Sequence, residues 1–178
     1  MTIRRAVVAD ADRISRLLTE VSREMVIADF SEAGRAYYLR QLAPAQIADA
    51  IARVEAFRFY LAEFGTVLAG VAAIRSNSHL YYLFTAADFH RKGIARQLWA
   101  QVSGEALVLG NPGLFTVNAS LYAVPAYRKF GFAPMDGEQE YCGIRFVPME
   151  YRSVEGEAIG KCENKCDNTS RKMPFPGQ

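Results

Sequence analysis

Asp88-Phe89-His90-Arg91-Lys92-Gly93-Ile94-Ala95-Arg96 joins an apolar, aromatic run, Leu80 to Thr85, to a stripe of Ile94, Leu98, Val102 and Ala106 at helical spacing. The run before it suits a central β-strand. The stripe after it, reinforced by Ala95 and Trp99, predicts a helix that ends near Leu107. Asp88 stands where a side-chain cap belongs, so the helix is expected to begin near Arg91. There the local physics conflicts. A helix N-terminus already carries partial positive charge and unpaired N–H groups, and this one adds Arg91, Lys92 and Arg96. A bound polyanion resolves the conflict: its oxygens accept the orphan N–H bonds while the basic side chains offset its charge. Gly93 and Ala95 are small enough to let such oxygens reach the backbone. A capped surface helix with a solvated basic end explains this stretch equally well on its own, so the flanking segments decide.

Two familiar phosphate motifs do not fit. A Walker loop needs its Lys after the second Gly and a Ser or Thr after the Lys, whereas here Lys92 precedes Gly93. A Rossmann fingerprint needs several glycines opening a βαβ unit, but this turn has only Gly93 and follows an antiparallel hairpin. That hairpin is Phe57 to Ala62 and Val67 to Ile74, parted by Glu63, Phe64, Gly65 and Thr66. Further upstream, Ile3 to Val8 reads as a strand, and Asp10 or Asp12 can cap a helix bearing Ile14, Leu17, Leu18, Val21 and Met25 on one face. Glu32 to Val54 is helical but broken at Pro44 into two short helices. Downstream, Asn111-Pro112-Gly113 forms a turn before a strand from Leu114 to Asn118. Pro125 suits the first turn of a short helix stopped by Gly131, and Tyr141 to Val147 reads as a closing strand. The sequence of elements is an α+β arrangement, which alone leaves function open.

The bulk properties bound the alternatives. A chain of 178 residues fits one core, and 51% hydrophobic with 22% charged residues is ordinary for a globular protein. With 21 basic and 19 acidic residues the net charge of +2 gives no general attraction for nucleic acid or an acidic membrane, so neither is an expected partner and any anion site is local. The N-terminal residues lack the apolar stretch of a secretory signal, and no run is long enough to span a bilayer. With Cys142, Cys162 and Cys166 an odd set, a reducing, cytoplasmic setting is expected. Cys162 and Cys166 lie at i, i+4 spacing, but zinc usually takes four ligands and the two histidines are distant, so no metal site is expected. From Ser153 onward large apolar residues become scarce, which divides the chain into a domain over 1–152 and a polar, mobile tail over 153–178.

His90-Arg91-Lys92-Gly93-Ile94-Ala95 resembles the acetyl-CoA signature of the GNAT N-acetyltransferase superfamily, Gln/Arg-x-x-Gly-x-Gly/Ala, with His90 where Gln or Arg is usual. Phe115-Thr116-Val117-Asn118-Ala119-Ser120, followed by Ala123-Val124-Pro125-Ala126-Tyr127-Arg128-Lys129-Phe130-Gly131-Phe132, resembles a second block of that family, in the right order. The resemblance covers Thr2 to Glu150. It implies a mixed, mostly antiparallel sheet of about six to seven strands flanked by about four helices, with a V-shaped splay between the fourth and fifth strands. It implies acetyl-CoA as co-substrate, its pyrophosphate held by His90, Arg91, Lys92, Gly93, Ile94, Ala95 and Arg96. The pantetheine arm would lie against Leu83, Phe84 and Thr85, with a backbone N–H near Phe84 or Thr85 facing the thioester oxygen and Asn118 bonding the arm or its neighbours. Tyr127 falls where many members place the acid that protonates the departing thiolate, and a packed Tyr beside Phe130 and Phe132 is its bland alternative.

The acceptor implied is a primary amine of a small molecule or peptide, attacked directly in a ternary complex; a homodimer is left open. A Lys-like amine costs roughly 4.6 kcal/mol to deprotonate at pH 7, so a base or water relay should help. His79, Tyr81, Tyr82 and Glu63 are candidates without a motif to choose among them, and Tyr37, Tyr38 and Tyr141 are candidates to line the acceptor pocket. The competing function is a non-catalytic acyl-CoA-binding regulatory module.

Overall fold

The computed structural model describes residues 1–153. The expected tail over 153–178 therefore lies, apart from Ser153, outside the described residues, as do Cys162 and Cys166. Strands β1 (Thr2–Arg5), β2 (Phe57–Phe64), β3 (Val67–Arg75), β4 (His79–Thr85), β5 (Leu114–Ala119), β6 (Ala133–Pro134), β7 (Gln139–Tyr141) and β8 (Ile144–Arg152) form a sheet ordered β1-β2-β3-β4-β5-β8-β6, with β7 paired to β8. Helices are α1 (Ala11–Met25), α2 (Glu32–Gln41), α3 (Pro44–Ala52), α4 (Ile94–Val108) and α5 (Val124–Lys129). The expected architecture stands, including the break at Pro44 that separates α2 from α3; the additional strands are the short β6 and β7, and five helices flank the sheet where about four were expected.

Alternation along the central strands divides the interior into two cores. Phe59, Leu61, Val71 and Ala73 face α1, α2 and α3, while their neighbours Tyr60, Ala62, Ala72 and Ile74 face α4. The second core is anchored by Trp99, which meets Phe115 edge-on at 5.1 Å and Tyr151 at 5.5 Å, pairs worth about 0.5–1.5 kcal/mol each beyond their buried area.

Three local expectations are corrected. β1 stops at Arg5 instead of reaching Val8, because Val8–Asp10 forms a 3-10 turn in which the Val7 N–H donates to Asp10 Oδ2 at 2.9 Å. Asp88 does not cap α4: it lies in a 3-10 turn, Ala87–Phe89, and α4 begins at Ile94 with Gly93 as its flanking residue. The closing strand is a hairpin whose two-residue turn, Cys142 (φ +50°) and Gly143 (φ +76°), takes the left-handed conformation that matches strand twist. That turn sits on the start of α2. Ser31 N–H donates to Gly143 O at 2.9 Å, and a Cβ on Gly34 would collide with the same carbonyl.

The sheet parts where the site lies. β4 and β5 run parallel but meet in register only at His79 and Thr116, reinforced by Thr116 N–H to Ser78 O at 3.0 Å. β5 pairs with β8 along its whole length, Leu114 to Ala119, and beyond His79 it diverges from β4, so among the described residues the far half of β4 has no strand neighbour on that side.

Candidate active site

The opening of the sheet is a cavity of about 490 Å³ bounded by β4, the start of α4, β5 with α5, and on the far side α1, α2 and β8. Leu83, Phe84 and Thr85 line it from β4, and Asn118 and Tyr127 from the opposite wall. His90, Arg91, Gly93, Ile94, Ala95 and Arg96 close its basic end. Lys92 is the exception among the expected residues: it does not line the cavity, and its Nζ lies 4.9 Å above the Phe89 ring.

Strand alternation decides which backbone groups face the gap. Ala86 N–H bonds Ala69 O at 2.9 Å, so two residues back Phe84 also faces β3. Leu83 and Thr85 thus present their N–H and carbonyl groups to the cavity, correcting the expectation that Phe84 N–H could do so. The Thr85 carbonyl is used by His90, whose Nε2–H donates to it at 2.9 Å. His90 therefore pins the turn to the strand end. Thr85 Oγ1 and Tyr81 OH are buried without a protein hydrogen bond.

The turn itself has a strained backbone. Arg91 has φ +60° and Gly93 φ +77°, and no atom lies within 4 Å of where a Gly93 Cβ would stand, so glycine is required by conformation and the space above it is open. Gln97 N–H is the first of α4 to turn back on the chain, to Gly93 O at 3.1 Å. The N–H groups of Ile94, Ala95 and Arg96 precede it and point out of the helix end. Among the described residues Arg91 and Arg96 have no ion-pair partner. A positive φ at Arg91 costs about 1 kcal/mol or more, a cost tolerated where the surroundings fix the turn.

Tyr127 projects from α5, started by Pro125 and ended at Gly131. It is buried beside Phe132 (5.5 Å) and Phe130 (6.4 Å), so its bland packing role is real, yet its side chain also borders the cavity. Burial pushes its phenol well above the ordinary value, with the charge of Tyr38 acting in the same direction.

The base candidates separate. Glu63 is taken by Arg4 at 2.8 Å and Arg13 at 2.9 Å, an ion network that also holds Asp10 and lies away from the cavity. His79 sits at the strand junction with Nδ1 2.8 Å from Thr116 Oγ1, and burial lowers its pKa to about 4, Arg75 adding to the effect. Burial raises Tyr81 and Tyr82 above the ordinary phenol range. Tyr38 lines the far wall, whereas Tyr37 and Tyr141 do not. Sequence reasoning missed Ser120, Tyr122 and Ala123, which line the cavity between β5 and α5; Ser120 and Ala123 stood inside the quoted second block and gave the available signal.

The profile of the acetyltransferase (GNAT) domain matches residues 26–153. That match places the protein among the acyltransferases. The chain belongs to the GNAT acetyltransferase family. No curated protein matches it significantly. Among solved structures it resembles a GCN5-related N-acetyltransferase of Rhodopseudomonas palustris (TM-score 0.73, 19% identity, 85% of this chain and 95% of that one). It also resembles PaiA N-acetyltransferase of Thermoplasma acidophilum in complex with coenzyme A (0.73, 18%, 85% and 98%). A third is YncA of Salmonella typhimurium with acetyl-CoA (0.66, 16%, 93% and 99%). At these identities the likeness is one of fold. No described helix is long and apolar enough to cross a membrane.

Proposed function

We propose that the chain, through a domain over 1–152, moves the acetyl group of acetyl-CoA to a primary amine of a small molecule or peptide by direct attack in a ternary complex. The observation that carries this reading is the convergence of the α4 N-terminus, the unpaired edge of β4 and Tyr127 on one cavity. The coenzyme A and acetyl-CoA complexes of PaiA and YncA support the choice of co-substrate.

In this reading the N–H groups of Ile94, Ala95 and Arg96, with the Arg91 and Arg96 guanidinium groups, take the pyrophosphate. The pantetheine amides complete the open edge of β4 as an added strand would. A Leu83 or Thr85 N–H faces the thioester oxygen and stabilises it as charge develops. The amine nitrogen attacks the carbonyl carbon, and the resulting tetrahedral adduct collapses with loss of the C–S bond. The sulfur takes the Tyr127 phenolic proton, and the proton shed by nitrogen passes through water to restore the phenol. Burial keeps the phenol protonated, and it raises a thiolate beside it in the same sense, since both anions lose solvation. Among the described residues the cysteine, Cys142, is exposed on the hairpin turn and does not line the cavity, which supports direct attack.

The non-catalytic alternative is favoured by one observation: no carboxylate stands among the described residues that line the cavity to serve as base. Calorimetry with acetyl-CoA, paired with a CoA-release assay over a broad amine panel, separates the readings. Binding with release, and intersecting initial-rate lines, is expected. Neither binding nor release overturns the proposal, and binding without release selects the regulatory module.

A further inference from the structure

The end of the cavity away from Arg91 and Arg96 has a consistent chemistry. Val21, Met25 and Phe30 form one wall, from α1 and the segment before α2, and Ile144 and Phe146 of β8 form the other. Phe30 packs edge-on against Tyr38 at 5.5 Å, and Tyr82 stands 6.0 Å from Phe84, so the space between the walls is framed by aromatic rings. Neither Asp nor Glu occurs among the described residues that line the cavity. Among the described residues the cation lining this end is Arg145, which is paired with Glu138, and Asp29 and Glu140 act on it from outside the cavity. The nearest imidazole, His79, is hydrogen-bonded to Thr116 at the strand junction.

We infer that the acceptor is an amine with an aromatic or branched aliphatic body and no second positive charge, bound between the α1–α2 wall and the β8 wall. This rests on the acetyl-transfer reading above. A polycation entering this space would meet no carboxylate among the described lining residues, the nearby Glu138 being already paired with Arg145, in surroundings that strip its charges of water. An apolar body gains by burial there, and its single amine needs to be neutral only at the moment of attack. Weakly basic amines suit the site best. An α-amine of a peptide or amino-acid amide is neutral in about one molecule in seven at pH 7, against about one in 2,500 for a Lys-like amine, which matters where the cavity lining supplies no carboxylate base.

The test is the ratio of kcat/KM values for phenylalaninamide and 2-phenylethylamine to those for spermidine and kanamycin, at fixed saturating acetyl-CoA, with acetyl-CoA binding measured separately by calorimetry. Both aromatic amines are expected to exceed both polycations by roughly ten-fold to a hundred-fold, the range that burial of one phenyl group supplies. Met25→Glu, at a half-exposed position on the wall, is expected to narrow that gap by about ten-fold at low salt. Preference for spermidine or kanamycin overturns the inference and leaves acetyl transfer standing. Acetyl-CoA binding with no release from either aromatic amine overturns the acceptor class while the cofactor site remains. Loss of acetyl-CoA binding itself removes both.

Discussion

The two ends of the cavity are built from different materials. At the α4 end the chain offers main-chain N–H groups, a left-handed Arg91 and Gly93, and two arginines with no ion-pair partner among the described residues. At the other end it offers apolar side chains from α1, the segment before α2, and β8. A ligand of fixed chemistry can be met by backbone, whose geometry side-chain exchange hardly alters. A ligand that varies between relatives is met by side chains, which can be exchanged singly without disturbing the frame. The contrast explains why one end carries a short sequence signature and the other does not.

The comparison can be broken at four points. The largest effect is expected from Tyr127→Phe, which should lower kcat by about 10²- to 10⁴-fold while the acetyl-CoA Kd measured by calorimetry stays within a few-fold. Equal rates for variant and parent would leave Tyr127 as packing only. Next, Gly34→Ala tests the seat of the hairpin. Such a change in a helix ordinarily stabilises, by up to about 1 kcal/mol. Here the added Cβ meets the Gly143 carbonyl, so urea unfolding should show a loss of about 2 kcal/mol, with KM for the acceptor raised and acetyl-CoA affinity kept.

The third effect is of pH. The fold disfavours a charged His79, whose pKa of about 4 lies below the unfolded 6.5, so between these values the unfolded chain binds the extra proton first. The stability from this group is complete above pH 6.5 and is lost as pH falls toward 4, by on the order of 2 kcal/mol after allowing for solvent in the cavity. Parent minus His79→Gln, in denaturation curves across that window, should show the slope; parallel curves would refute it. The smallest effect is expected from Lys92→Ala, under about three-fold on acetyl-CoA Kd, because Nζ rests over Phe89 and not in the cavity. A loss comparable to that of Arg91→Ala would return Lys92 to the anion site.

Much of the backbone-built end was legible in the sequence, because cations crowding a helix start and a lone glycine are local signals. The same stretch misled in one respect. Asp88 looks like a cap by residue type, but the positive φ at Arg91 and Gly93 delays α4 to Ile94 and leaves its first N–H groups without a side-chain acceptor. The hairpin of β7 and β8 was read as one strand because Cys142-Gly143 is a weaker turn signal than Asn-Gly. The side-chain end was largely illegible. Met25, Phe30 and Phe146 are far apart in sequence and line one cavity only through the tertiary fold, and of the tyrosines considered, periodicity does not choose Tyr38 over Tyr37. Glu63 was a plausible base until tertiary structure gave it to Arg4 and Arg13.

The contact between Gly143 and the start of α2 has one more consequence. Because the joint is made of main-chain atoms and a bare Cα, it is indifferent to the identities of the residues on either wall. Substitutions at Met25 or Arg145 can accumulate without loosening it, so a lineage, or a designer, can reshape that end of the cavity while inheriting the joint intact.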